Sequence, residues 1–189
     1  YTFEGSRKSF TSARLNSKFE LEYGRIDVRA KLPSAEGTWP AIWTLGTNVG
    51  ERGNYHGTTA GNVGWPACGE IDIMEQDGTD KEKLYGTFHW ADASNGQNAS
   101  YGLTKTRAVL GIGTPSADFH LYSLVWTPAT LKIFVDNVLL VQLTNSSSVP
   151  FDNPHYLLLN IAMGGTLGGS IPSSFSQDTM EVDYVRFYQ

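Results

Sequence analysis

An all-β sandwich of antiparallel strands is the fold class predicted by this 189-residue sequence, and three observations predict it. Apolar and polar residues alternate with period two in short runs along most of the chain, and no segment carries a helical period. The 20 Gly and 8 Pro fall largely between those runs, as short strands joined by tight turns require. Ile133-Phe134-Val135-Asp136-Asn137-Val138-Leu139-Leu140 reads as a hairpin, because Asp-Asn can occupy the positive-φ positions of a two-residue turn.

Taken in order, residues 19–23 alternate Phe19, Leu21 and Tyr23 with two glutamates, and 25–32 alternate Ile26, Val28, Ala30 and Leu32 with charged residues. Residues 39–45 are rich in Trp, Ile and Leu, and 70–75 interleave acids with Ile and Met. Residues 84–90 and 120–126 are aromatic-rich strands, 131–135 and 138–143 are the two arms of the hairpin, and 156–162 and 180–188 complete the set. Two stretches rich in Gly, Asn, Ser and Thr, 46–64 and 91–113, read as surface loops. They flank the acidic strand in sequence, which makes them candidate walls of a binding cleft.

The length suits one domain over residues 1–189 with a sizeable core. A net charge of -5, with no Lys/Arg cluster, argues against nucleic acid, an anionic membrane or an acidic polysaccharide as partner. Nine Phe, nine Tyr and five Trp offer stacking surfaces of the size of a sugar ring. Cys68, the single cysteine, has no partner for a disulfide or a metal site and reads as a small buried filler. With no signal-type segment and no membrane-spanning apolar run, the chain is expected either to start after processing or to act in the cytosol. Asn98-Ala99-Ser100 and Asn145-Ser146-Ser147 match the glycosylation sequon, a pattern that also arises by chance.

The most informative segment is Gly69-Glu70-Ile71-Asp72-Ile73-Met74-Glu75. Glu70 and Asp72 share a strand face, where like charges repel unless chemistry requires them. Glu75 lies an odd number of residues from Glu70, so a regular strand would aim it the other way; one extra residue, a bulge near Ile73 or Met74, returns it. Four effective steps then separate the glutamate backbones by about 13 Å, and side chains leaning together leave roughly 5 Å between carboxyls, the spacing of a retaining glycosidase. The competing reading is an acidic edge that discourages aggregation, but such edges are usually Lys-rich and are not hemmed by Ile and Met.

In its setting, Trp65-Pro66-Ala67-Cys68-Gly69-Glu70-Ile71-Asp72-Ile73-Met74-Glu75 resembles the signature of glycoside hydrolase family 16, in the bulged form of its laminarinase-like members. Three further blocks agree in order: residues 23–33, 37–46 and 159–165, with the chain closing on Val182-Asp183-Tyr184-Val185-Arg186-Phe187-Tyr188-Gln189. The resemblance implies a β-jelly-roll sandwich whose concave sheet holds a groove for a β-glucan chain. It implies an endo-acting, retaining hydrolase of β-1,3- or mixed-linkage β-1,3-1,4-glucan, secreted and monomeric, needing no cofactor for catalysis. Glu70 falls on the nucleophile, Glu75 on the acid/base and Asp72 on the carboxylate between them.

Around those three, Trp39 and Trp65 match positions lining the sugar subsites near the cleaved bond, and Trp43 shares the parity of Trp39. Trp126 is expected in the core. His89 is placed to donate to Asp72 or Glu70, with Trp90 of opposite parity facing away, and Arg14 and Asn160 match polar groove positions. Relatives usually carry some 50 residues before the stretch resembling Thr11-Ser12-Ala13-Arg14-Leu15, so an open edge with exposed apolar surface is expected. Family members often hold a structural calcium using oxygens of both chain ends, for which Asp183 is the candidate here. The alternatives are a non-catalytic β-glucan-binding module, which would lose one or both glutamates; a hydrolase of another galactan such as agar; and a legume-type lectin, which would cluster metal ligands in a loop.

Overall fold

Two antiparallel sheets enclose the main core in the computed structural model, which describes residues 2–3, 6–7, 9–57, 62–149 and 151–189. In chain order the strands are β1 (Thr2–Phe3), β2 (Ser6–Arg7), β3 (Arg14–Leu21), β4 (Gly24–Lys31), β5 (Thr38–Gly46), β6 (Glu70–Gln76), β7 (Lys83–Ala91), β8 (Asn98–Thr106), β9 (His120–Trp126), β10 (Thr130–Val135), β11 (Val138–Thr144), β12 (His155–Met163) and β13 (Glu181–Tyr188). One sheet has six strands in the order β3-β12-β5-β6-β7-β8, the other five in the order β11-β10-β9-β4-β13, and β1 pairs with β2 apart from both.

Period-two alternation builds the interface between the sheets. Ile26, Val28 and Ala30 of β4, Tyr122, Leu124 and Trp126 of β9, and Leu131, Ile133 and Val135 of β10 point inward. Ile42, Ile71, Ile73, Met74, Leu84 and Phe88 meet them from the six-stranded sheet. Trp126 is accordingly a core residue, its indole N–H satisfied by the Phe151 carbonyl at 3.1 Å. The predicted hairpin joins β10 to β11, with Asp136 and Asn137 at φ 47° and 66°.

A second apolar cluster lies on the other face of the six-stranded sheet. Leu45, Tyr156 and Leu158 share that face, and the loop after β5 lays Val49 and Cys68 over them, with Trp43 and Val63 packed alongside. Cys68 is thus a buried filler, as expected. The loop 46–64, where described, is a wall with its own small core, closed by a bridge between Val49 and Val63.

The expectations fail in three places. The stretch 91–113 is not one loop, because Asn98–Thr106 forms the edge strand β8, paired along its length with β7. Its side chains are mostly exposed, so no apolar alternation marks it; backbone pairing alone holds it. β3 begins at Arg14, five residues before the predicted start, for the same reason. One-turn helices at Arg107–Leu110 and Gly165–Gly168 are too short to leave a helical period. Leu15, Phe19 and Val182 are exposed, and a cleft of about 300 Å³ between β3, β12 and β13 is lined by Leu15, Leu159, Ile161 and Met180.

Candidate active site

The site is built by one irregularity in β6. Against β5, Glu70 pairs with Leu45, Asp72 with Trp43, Met74 with Ile42 and Glu75 with Ala41, so Ile73 is the extra residue. On the other side the register against β7 shifts in the same place, between Asp72 and Glu75. Ile73 and Met74 both turn into the core, side by side, and Glu75 emerges on the face that already carries Glu70 and Asp72. Leu45 and Ala41 are four residues apart on the unbulged partner, which confirms the four-step spacing deduced for the two glutamates.

Chain entry into β6 also needs a special residue. Gly69 has φ +77°, and a β-carbon there would meet the buried His155 ring at 3.2 Å. Glycine therefore both permits the turn and lets Glu70 sit directly over the sheet.

Two indoles grip the two glutamates. Trp39 Nε1 donates to Glu75 Oε1 at 2.9 Å, and Trp65 Nε1 donates to Glu70 Oε2 at 3.1 Å. Trp65 is half exposed on the rim, its ring centroid 5.9 Å from that of His89. Asp72 is buried between the pair.

Burial dominates the acidities. It drives Asp72 well above the usual carboxylate range, helped by the charges of Glu70 and Glu75 and by a hydrogen bond to Glu70. Burial thus favours the protonated form of Asp72, which can donate to Glu70. Burial likewise pushes Glu70 up to about 7, countered by the Trp65 N–H and reinforced by Glu75. Glu75 is raised by burial and eased back by the Trp39 N–H.

His89 faces the groove as expected, while Trp90 packs toward the core beside Phe151. His89 Nδ1 lies 3.3 Å from Asn98 Oδ1 and its Nε2 3.5 Å from Asp72 Oδ2, beside the carboxylate that the sequence pointed to. Burial lowers the His89 pKa.

The remaining predicted groove residues converge one strand further on. Trp43 Nε1 donates to Asn160 Oδ1 at 2.7 Å, and the Arg14 guanidinium lies 4.9 Å from the Trp43 ring centroid. Sequence reasoning missed Asn98, Tyr156 and Glu51, which complete the surroundings of these groups. Asn98 stood in the stretch read as loop, and Glu51 sits in an irregular segment where no periodicity points to it.

Asp183, the residue put forward for a structural calcium, has one carboxylate oxygen paired with the Arg29 guanidinium across β4 and β13. Among the described residues, the one cluster with metal-ligand spacing is Glu70, Asp72 and His89, which belongs to the catalytic group.

Comparison with known proteins agrees with this geometry. The sequence profile of Glycosyl hydrolases family 16 matches residues 4–186. A beta-glucanase of Rhodothermus marinus is 38% identical across 99% of this chain, and the chain spans 64% of that relative's length. The crystal structure of LamAcat from Zobellia galactanivorans is 57% identical with a TM-score of 0.93, covering 100% of this chain and 73% of that one. A variant of LamA from the same organism, solved with laminaritriose and laminaritetraose, is 56% identical at the same TM-score, covering 100% of this chain and 74% of that one. With the family profile matched over residues 4–186 and relatives alike in both sequence and fold, the chain belongs to glycosyl hydrolases family 16.

Proposed function

We propose that this chain is a retaining endo-β-glucanase acting on β-1,3- or mixed-linkage β-1,3-1,4-glucan outside the cell. The observation that carries the reading is the bulge at Ile73, which brings Glu70 and Glu75 to one face with a separate indole N–H on each. The similarity to a beta-glucanase and to a LamA variant with bound laminari-oligosaccharides supports the substrate class.

In the first half of the reaction, Glu70 attacks the anomeric carbon while Glu75 gives its proton to the departing glycosidic oxygen. Trp65 and protonated Asp72 stabilise the ionised Glu70, and His89 keeps the Asp72 carboxyl in place. Trp39 holds one oxygen of Glu75 and leaves the other for the leaving group. Once Glu70 is esterified its charge is gone, which eases the ionisation of Glu75. Glu75 then takes a proton from water as that water attacks the glycosyl-enzyme, and Glu70 is released.

A binding module would not require two acids poised in this way, and the intact carboxylates favour catalysis over that alternative. The test is release of reducing ends from laminarin, barley β-glucan and agarose, with the anomeric configuration of the first product followed by NMR. Retained configuration on the glucans is expected, and azide should partly rescue Glu70→Ala as an α-glycosyl azide. Binding of glucan with no increase in reducing ends, or an inverted product, would overturn the proposal.

A further inference from the structure

Beyond the groups that face the sugar chain, the groove holds a tie that reaches from its floor into the wall. Glu51 lies in the loop 46–64, and its Oε1 accepts from both Arg14 Nη2 and Tyr156 Oη, each at 2.5 Å. Arg14 belongs to edge strand β3 and Tyr156 to β12, so one carboxylate oxygen joins a loop to two strands. The side chain of Glu51 is only 25% exposed, which strengthens charge-assisted bonds relative to a surface pair.

The same guanidinium is held from other sides. Its Nε donates to Asn16 Oδ1 at 3.4 Å, and Asn16 in turn donates to the Gly53 carbonyl at 2.9 Å. Asn54 closes the loop on itself by donating to the Thr47 and Val49 carbonyls. Arg14 is thereby kept over the Trp43 ring, and Trp43 is fixed by Asn160. Arg is flexible when unrestrained, and an exposed edge strand gives it little packing to hold it there.

We infer that Glu51 is a positioning residue: it holds Arg14 over Trp43 and thereby preorganises the sugar-binding surface beside Glu70. This rests on the glucanase reading and adds to it the residue that sets the geometry of that surface. The electrostatics agree, since Arg14 lowers and Glu51 raises the pKa of Glu70, so both act within reach of that group.

The test separates binding from turnover. On a Glu75→Gln background, which binds without hydrolysing, affinity for a β-1,3-linked glucotetraose is measured by calorimetry with Glu51→Gln, Arg14→Gln and both. Each single change should weaken binding about five- to tenfold, and the double should be no weaker than the poorer single, as coupled members of one network behave. In the active enzyme Glu51→Gln should raise KM by a similar factor with kcat within about twofold. Unchanged affinity in Glu51→Gln, or additive losses, overturns the inference. Should Glu51→Gln not fold, Arg14→Lys keeps the charge and loses the planar fork; the same weakening is expected, and wild-type affinity refutes the inference. Absence of any glucan binding in the Glu75→Gln parent refutes the glucanase reading instead.

Discussion

Replacing Glu70 with Gln should make the protein inactive and, at neutral to alkaline pH, more stable. Burial raises the Glu70 carboxyl from its ordinary 4.5 to about 7 in the folded chain. At 1.36 kcal/mol per pH unit, that gap amounts to about 3 kcal/mol working against the ionised folded form. The sign follows from the folded value lying above the unfolded one: this stabilisation is fully present below about pH 4.5 and is lost as pH rises through about 7. Gln keeps an acceptor for the Trp65 N–H and cannot ionise. The stability of Glu70→Gln relative to wild type should therefore increase by about 3 kcal/mol between pH 4 and pH 8, or roughly 6–12 °C in Tm for a domain of this size. Urea unfolding and calorimetry at several pH values in that window measure it directly. Parallel stability curves for the two proteins would refute the burial argument, and with it the account of how the site holds its protons.

Four further outcomes follow from individual residues. Trp65→Phe removes the donor that lowers Glu70, so the acid limb of the kcat/KM profile should move to higher pH, whereas Trp39→Phe removes the donor on Glu75 and should move the basic limb to higher pH. Deleting Ile73 removes the extra residue and leaves Glu75 four positions after Glu70, the same-face spacing of a regular strand, so hydrolysis should be retained; complete loss of turnover in a folded protein would contradict the bulge assignment. Asp72→Asn can still donate to Glu70 and should keep more activity than Asp72→Ala, with the difference read as kcat on laminarin.

How much could be read from the residues alone depends on how the information is stored. The acidic strand was legible because face, parity and charge are local, and an odd spacing between Glu70 and Glu75 demands a bulge. The central strands of the five-stranded sheet were legible because burial of one face writes period-two alternation into β4, β9 and β10. β8 was not, because an edge strand with solvent on most of its side chains is held by main-chain pairing that no side-chain pattern records. His89 was placed on the correct face, but its contact with Asn98 was not legible, since Asn98 comes from a different strand. Glu51 and Tyr156 lie 105 residues apart and meet only through the tertiary path of the loop after β5.

The second apolar cluster has a consequence for how such a protein changes over time. Because Val49 and Cys68 rest on the outer side of the sheet, reshaping that rampart leaves the layer sealed between the two sheets untouched. The length and curvature of the trench can thus be recut without altering the ribbon that carries the acids, so diet can diverge while the cutting tool stays the same.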